Sequence, residues 1–420
     1  MTTLVQESTE LPAPPSKPNG VGEHFKAYLR RVRGGEMGAL PALAGLLVLV
    51  IGFSIVRPVF FTAGNFANLL PQSAAVTVLA MGLVFVLLIG EIDLSAGYTS
   101  GVCAALMTVL VTQHDQPWYV GIGAGLLTGV VIGLVLGTLV AKLGVPSFVV
   151  TLAAFLAFQG LLLLIVNEGN IISIHDPVLL AIGNKNVPVL AGWIIYAACV
   201  LLYAAVQLRR VLVRRRRHLV GEPASVTALR VIALAVVAGA GVYALSLERS
   251  FNPARTSLKG VPIVVPIVLV LVVVLTFVLK RTTYGLHLYA VGGNREAARR
   301  AGIPTDRLRI SAFVICSTLA SISGFIAASR ANSVDPNTGG STALLYAVGA
   351  AVIGGTSLFG GKGRILDAVL GGLVVATIDN GMSLLGSRAW LRYVVTGAVL
   401  LGAAAVDAVS RRRSSATGLS

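Results

Sequence analysis

An all-α, polytopic membrane protein of about twelve spans is the fold class this sequence predicts. Three observations point there. The 420 residues are 55% hydrophobic and only 12% charged, with a mean hydropathy of +0.85, far from the usual globular balance. The apolar residues fall in runs of about 20, the length that crosses a hydrocarbon core of roughly 30 Å. The strongly basic stretches fall between those runs at a spacing that puts them all on one membrane face.

Taken in order, residues 1–38 begin polar and proline-rich (Pro12, Pro14, Pro15, Pro18) and turn basic through Lys26, Arg30, Arg31 and Arg33. That composition predicts a disordered basic cytoplasmic tail rather than a cleaved leader, which would carry its apolar core nearer the start. Spans are expected at 39–56, 70–90, 94–112, 119–141, 146–166 and 188–207, then at 228–247, 261–279, 309–329, 341–359, 365–386 and 391–408. The count drops to ten if 94–112 and 341–359, each flanked by a polar, glycine-containing break, are re-entrant. With the N-terminus inside, loop 208–227 with Arg209, Arg210 and Arg214 to Arg217 is cytoplasmic. So are loop 280–308 and a basic tail, 409–420, with Arg411 to Arg413.

The net charge of +16 is therefore explained by orientation and attraction to anionic membrane lipid rather than by nucleic acid. Cys103, Cys199 and Cys316 are widely spaced within apolar runs, so neither a disulfide framework nor a metal site is expected.

Loop 280–308 is the longest polar segment with a span on either side, and it contains a short helix with both ends marked. Asn294 suits the N-cap, Glu296 falls in the first turn at the positive end of the dipole, and Gly302 supplies a left-handed stop before Pro304. About seven residues of isolated helix are marginal in water, so something must hold them. Ala297 and Ala298, with Glu296 and Arg300 beside them, make a small apolar face rimmed by charge. Docking on another protein and a plain solvated connection both fit that pattern.

Gly90-Glu91-Ile92-Asp93-Leu94-Ser95-Ala96-Gly97 places two carboxylates in a very short break between apolar runs. A pathway-lining break and a tight cytoplasmic turn capped by Asp93 or Ser95 are both open. Gln159, in mid-span, reads as an interhelical hydrogen bond or as a solute contact. Asp379-Asn380 interrupts the span 365–386 and reads as a solute contact or as a polar link between helices. Gly354 to Gly363 imitates a phosphate loop, but Thr356 stands where the first glycine is required and Gly363 follows Lys362 where Ser or Thr is required. No histidine, nucleophile elbow or metal-spaced cluster accompanies the acids, so enzyme chemistry is not expected.

Five stretches, GEIDLSAG (90–97), VPSFVVTLAAFLAFQG (145–160), YAVGGNREAARRAGI (289–303), VIGGTSLFGGKG (352–363) and IDNGMSLL (378–385), resemble in sequence and order the membrane permease of bacterial monosaccharide ABC importers. The ribose/xylose/galactose group, and within it the xylose type, is the nearest likeness. The resemblance covers roughly residues 60–410. It implies a permease domain over 39–408 in the bacterial cytoplasmic membrane with both termini cytoplasmic, a second permease copy, two copies of an ABC ATPase subunit and an extracytoplasmic sugar-binding protein. It also implies that Gly293, Asn294, Glu296, Ala297, Ala298, Arg300 and Gly302 form the ATPase-coupling helix. Cofactors are none in this chain, ATP being bound by the partner. Glu91, Asp93, Ser95, Gln159, Asp379 and Asn380 are the candidates for the sugar path. One departure is visible: Leu344-Leu345-Tyr346-Ala347 replaces a Glu-Leu-Asp-Ala run of relatives, which bears on sugar identity. The rival reading is a proton- or ion-coupled secondary transporter, kept open by Glu91, Asp93 and Asp379.

Overall fold

A computed structural model of the chain describes residues 40–217, 224–250 and 257–416, and these form fifteen α-helices and four two-residue strands. Twelve apolar helices correspond one for one to the expected spans: α1 (Leu40–Val56), α2 (Ala63–Leu88), α3 (Ala96–Thr112), α4 (Trp118–Ala141), α5 (Ser147–Val166), α7 (Val189–Arg216), α8 (Ala224–Ser246), α9 (Val264–Arg281), α12 (Thr305–Ala331), α13 (Ser341–Gly354), α14 (Ile365–Leu384) and α15 (Ala389–Ala416). Eight of them are long and apolar enough to cross a bilayer unaided. Three short helices, α6 (Pro177–Asn184), α10 (Thr283–Gly293) and α11 (Arg295–Arg300), complete the set.

The core is built on α2 and α12. Each buries most of its length, and each packs against helices on several sides: α12 on α4, α2 and α3, and α2 on α14 and α13 as well. The α4–α12 seam is a glycine ladder at every fourth residue. Gly125 receives Phe325, Gly129 the Ser317 carbonyl, Gly133 the Phe313 carbonyl and Gly137 the Ile310 backbone, so the helices close until only glycine fits. Without a hydrophobic drive between helices in lipid, such close backbone packing is what holds them.

Two helices start inside the body. The Asp93 carboxylate lies beside the Cys316 thiol, the twelfth residue of α12 and about 16 Å from its start. α3 therefore begins about halfway along α12, after an irregular segment, 89–95. From the opposite end, the loop 335–340 descends until the Gly340 carbonyl meets Gly97, and α13 starts there. Asp93 and Ser95 are fully buried, as irregular backbone at that depth requires. The reading of 90–97 as a tight turn is thereby corrected, and the expected span 341–359 shortens to 341–354, stopped by Gly355 at φ +115°.

Other expectations change in extent. α2 starts at Ala63, not 70, because Thr62 caps it by accepting from the Asn65 amide and because Asn65, polar enough to suggest a loop, is hydrogen-bonded to Asn380, which also binds Gln72. α7 continues through the arginines to Arg216, so much of the supposed loop 208–227 is helix. α10, preceding the anticipated short rod, was not expected. Residues 409–416 continue α15, while the rest of that tail and the amino-terminal tail over 1–38 lie outside the described residues.

On the face opposite the rod, β1 (Ile172–Ser173) pairs antiparallel with β4 (Ser333–Val334), and β2 (Asn186–Val187) with β3 (Val261–Pro262). Next to β3, four donors converge on the Glu248 carboxylate: the Leu258 amide at 2.9 Å, the Ser257 hydroxyl at 2.8 Å and the Arg249 and Ser250 amides. The Leu258 and Ser257 bonds above all hold its pKa at about 2. A depressed carboxylate stabilises the fold above its ordinary pKa and loses that contribution as pH falls through the folded value. The Leu258 amide should accordingly stay protected from exchange down to a pH of about 3, open toward pH 2, and be unprotected throughout in Glu248→Ala, which has no acceptor to offer it.

Candidate functional site

The rod is built as its sequence signals require. Asn294 at φ −155° accepts the Ala297 amide on Oδ1 at 2.9 Å, leaving α11 to run over Arg295–Arg300. The Ile303 amide donates to the Ala298 carbonyl and the Gly302 amide to that of Arg299, with Gly302 at φ +80°. This is the glycine stop that satisfies the last carbonyls. Ala298 is buried against the body, whereas Gly293, Glu296, Ala297, Arg299 and Arg300 are exposed. Glu296 pairs with Arg300 at 3.1 Å on the outer surface, and Arg295 lies 4.0 Å from Asp306. Such exposed pairs add a few tenths of a kcal/mol to the helix (roughly 0.3–0.5).

What seats the rod was not anticipated. Gly292, at the end of α10, presses its backbone onto the Leu88 carbonyl at the end of α2, and the Gly361 amide donates to the same carbonyl at 2.8 Å. The Tyr289 hydroxyl donates to the Gly363 carbonyl at 2.6 Å. Gly360 and Gly361 have φ of +87° and +71°. The glycine-rich run that fails as a phosphate loop is thus a backbone cradle under the segment that carries the rod.

A second tie enters from α12, directly beyond the rod. Arg309, 5% exposed, places its Nη2 2.6 Å and its Nε 2.8 Å from Glu91 Oε1. Arg309 was not singled out by sequence reasoning, although an arginine placed at the first residue of an apolar span was a usable signal. Glu91, expected on a sugar path, is instead half of a buried ion pair. Asp93 Oδ1 accepts the Ser95 amide at 2.9 Å and the Ser95 hydroxyl at 2.6 Å, so these two path candidates serve the start of α3.

The remaining candidates separate. Gln159 is half-buried on α5 and makes no side-chain hydrogen bond to a described residue, against the interhelical bond expected of it. Asn380 joins Asn65 and Gln72 in a trio tying α14 to α2, at 2.9 and 3.0 Å. Asp379, beside it, faces away and meets Arg392 at 3.5 Å; both are about one-third exposed. Tyr346, Tyr393 and Thr396 lie around that pair. The rod and this polar surface stand at opposite ends of α14.

A multi-helix membrane body with a capped rod on one face narrows the comparison with known proteins. The sequence model of the branched-chain amino acid transport system / permease component family matches residues 65–404. The chain belongs to that family. It is 35% identical over 375 residues to the xylose transport system permease protein XylH of Escherichia coli, covering 89% of this chain and 92% of that one. The ribose import permease protein RbsC is 29% identical in E. coli, over 87% of this chain and 92% of the relative, and 29% identical in Bacillus subtilis, over 89% and 94%. No solved structure matches. The resemblance drawn from the five stretches is therefore right at the level of family, and the relatives are themselves transport permeases.

Proposed function

We propose that this permease passes a pentose or related monosaccharide through the cytoplasmic membrane, driven by a separate ABC ATPase that grips α11. The permease domain spans 39–408 and its coupling loop is 280–308. Two copies of the chain form the passage, an extracytoplasmic binding protein delivers the sugar, and both termini face the cytoplasm. The relatives named for xylose and ribose support the substrate class. The single observation that carries the coupling role is the build of the rod: capped at both ends, anchored by the buried Ala298, and presenting Glu296, Ala297 and Arg300 outward.

Mechanically, a pull on α11 reaches the body by two rigid routes. One is the Gly292–Leu88–Gly361 backbone contact with α2, and the other is α12 with its Arg309–Glu91 tie to the segment leading into α3. α3 and α13, which begin inside the body, are the elements such a pull would reorient, in the manner of discontinuous helices in other transporters. Asp379, Arg392 and Tyr346 are the side chains proposed to meet the sugar on its way in; Asn380 fixes Asp379's helix to α2. Two of the carboxylates that would have served ion coupling are paired with arginines, Glu91 with Arg309 and Asp379 with Arg392, while Asp93 accepts from Ser95 on Oδ1 alone.

The test is charge reversal on the rod. Glu296→Lys leaves the Asn294 cap and the buried Ala298 untouched, so the chain should insert and purify as before. Sugar-stimulated ATP hydrolysis in the reconstituted complex should fall by about tenfold or more, as an interfacial charge is reversed. Unchanged stimulation would rule out this surface as the docking site.

A further inference from the structure

We propose that the arginine-rich end of α7 is a binding site for anionic phospholipid headgroups on the membrane face that carries α11. The first 20 residues of α7, Val189–Leu208, are apolar and about 30 Å long, enough to fill the hydrocarbon core. The helix then continues for roughly another 13 Å through Arg209, Arg210 and Arg214 to Arg217, which places these guanidinium groups at the level of the phosphates and just beyond. Its side is fixed by topology. The β2–β3 pairing sets the starts of α7 and α9 next to each other, and α9 emerges at Lys280 and Arg281, immediately before α10 and α11.

Nothing described in the protein neutralises this charge. All six arginines are exposed, and none makes a side-chain hydrogen bond or ion pair to a described residue. A helix C-terminus welcomes cations, but its dipole amounts to about half a charge and decays within a turn. Nor does protein packing hold the helix. Gly192 is the only buried residue of α7 and Leu245 the only one of α8 among those described, and both lie at the far end, where the Tyr196 hydroxyl also ties α7 to the Ala235 carbonyl. The arginine end thus stands in lipid, where planar guanidinium groups pair bidentately with phosphate and the headgroups supply the missing countercharge. The chemistry of the site is phosphate recognition by arginine; the occupant is the lipid phosphate, because the helix delivers the arginines to the headgroup layer.

The test uses the full chain reconstituted in phosphatidylcholine nanodiscs containing a minor fraction of phosphatidylglycerol. A donor fluorophore is placed on Leu212→Cys, an exposed position, with the exposed native thiol removed by Cys199→Ser. Energy transfer to headgroup-labelled phosphatidylglycerol should exceed transfer to headgroup-labelled phosphatidylcholine by about fivefold or more, since each arginine near an anionic surface contributes about that factor. Replacing Arg214 to Arg217 by Gln should cut the excess severalfold, leaving only what Arg209 and Arg210 supply, and replacing them by Lys should keep most of it. Arg209 and Arg210 stay in both variants, so the charge that sets orientation at the hydrocarbon edge is retained. Should the Gln variant fail to insert, the parent and the Lys variant decide by ionic strength: their excess must fall steeply with salt. Equal transfer to both lipids, an excess undiminished in the Gln variant, or one indifferent to salt would overturn the proposal. So would displacement of phosphatidylglycerol by inorganic phosphate beyond the effect of chloride at equal ionic strength, which would make this a soluble-anion site.

Discussion

Arg309→Ala should destabilise the purified permease by about 3–5 kcal/mol, the range found when one partner of a buried ion pair is removed. The reason lies in what is left behind. Glu91 has a side chain only 13% exposed and both of its close charged contacts come from Arg309, so truncation strands a carboxylate away from water. Arg309→Lys should fall between parent and Ala, because an ammonium keeps the charge but not the fork that puts Nε and Nη2 on one oxygen. The double variant Glu91→Met, Arg309→Met should recover most of the stability, since a well-packed apolar pair of similar volume often equals or exceeds a buried salt bridge. It should not recover transport, because the charged tie that fixes the 89–95 segment to the head of α12 is gone. Thermal unfolding in detergent and sugar uptake in proteoliposomes read the two effects separately. Melting of Arg309→Ala at the parent temperature would mean that the pair is solvated and carries no load.

How far the sequence could be read depended on whether a feature was signalled locally. Asn294 and Gly302 act on backbone groups within a few residues of themselves, and α11 has the expected limits. The apolar runs were equally plain, and so were the breaks at 90–97 and 341, because glycines and short polar residues had no other reason to interrupt a span. What failed were readings that needed a partner from elsewhere in the chain. Glu91 looked free until Arg309, 218 residues on, was brought to it. Asn65 fell outside the expected span because Asn380, its partner, lies more than 300 residues away. The fourfold glycine spacing from Gly125 to Gly137 was not read, because its counterpart, α12, lies far along the chain. The arginines after Leu208 suggested a loop by composition, whereas the helix simply outruns the bilayer. α10 was missed because its sequence, TYGLHLYAVGG, has no strong helical period and is held by contacts at Gly292 and Tyr289.

Those contacts also give the sharpest comparison between neighbouring residues. In a helix, Gly→Ala normally gains up to about 1 kcal/mol from propensity. At Gly293 a new methyl meets nothing within 4 Å in the chain, so Gly293→Ala should be neutral or slightly stabilising. At Gly292 the same methyl overlaps the Leu88 carbonyl oxygen and lies 2.6 Å from the Gly361 amide nitrogen. Both obstacles are backbone, and they are already bonded to each other at 2.8 Å, so neither swings aside like a flexible side chain. α10 must lift away from the end of α2, at an overpacking cost of about 1–3 kcal/mol. The lift separates the rod from the helix it is proposed to move. Gly292→Ala should therefore bind the ATPase partner, because the outward surface of α11 is intact, yet hydrolyse ATP with little sugar transport. Thermal melting, ATPase binding and uptake measured on the two variants in parallel decide the matter. Equal behaviour of Gly292→Ala and Gly293→Ala would remove the α10–α2 contact from the transmission path and leave α12 with its Arg309 tie as the sole route.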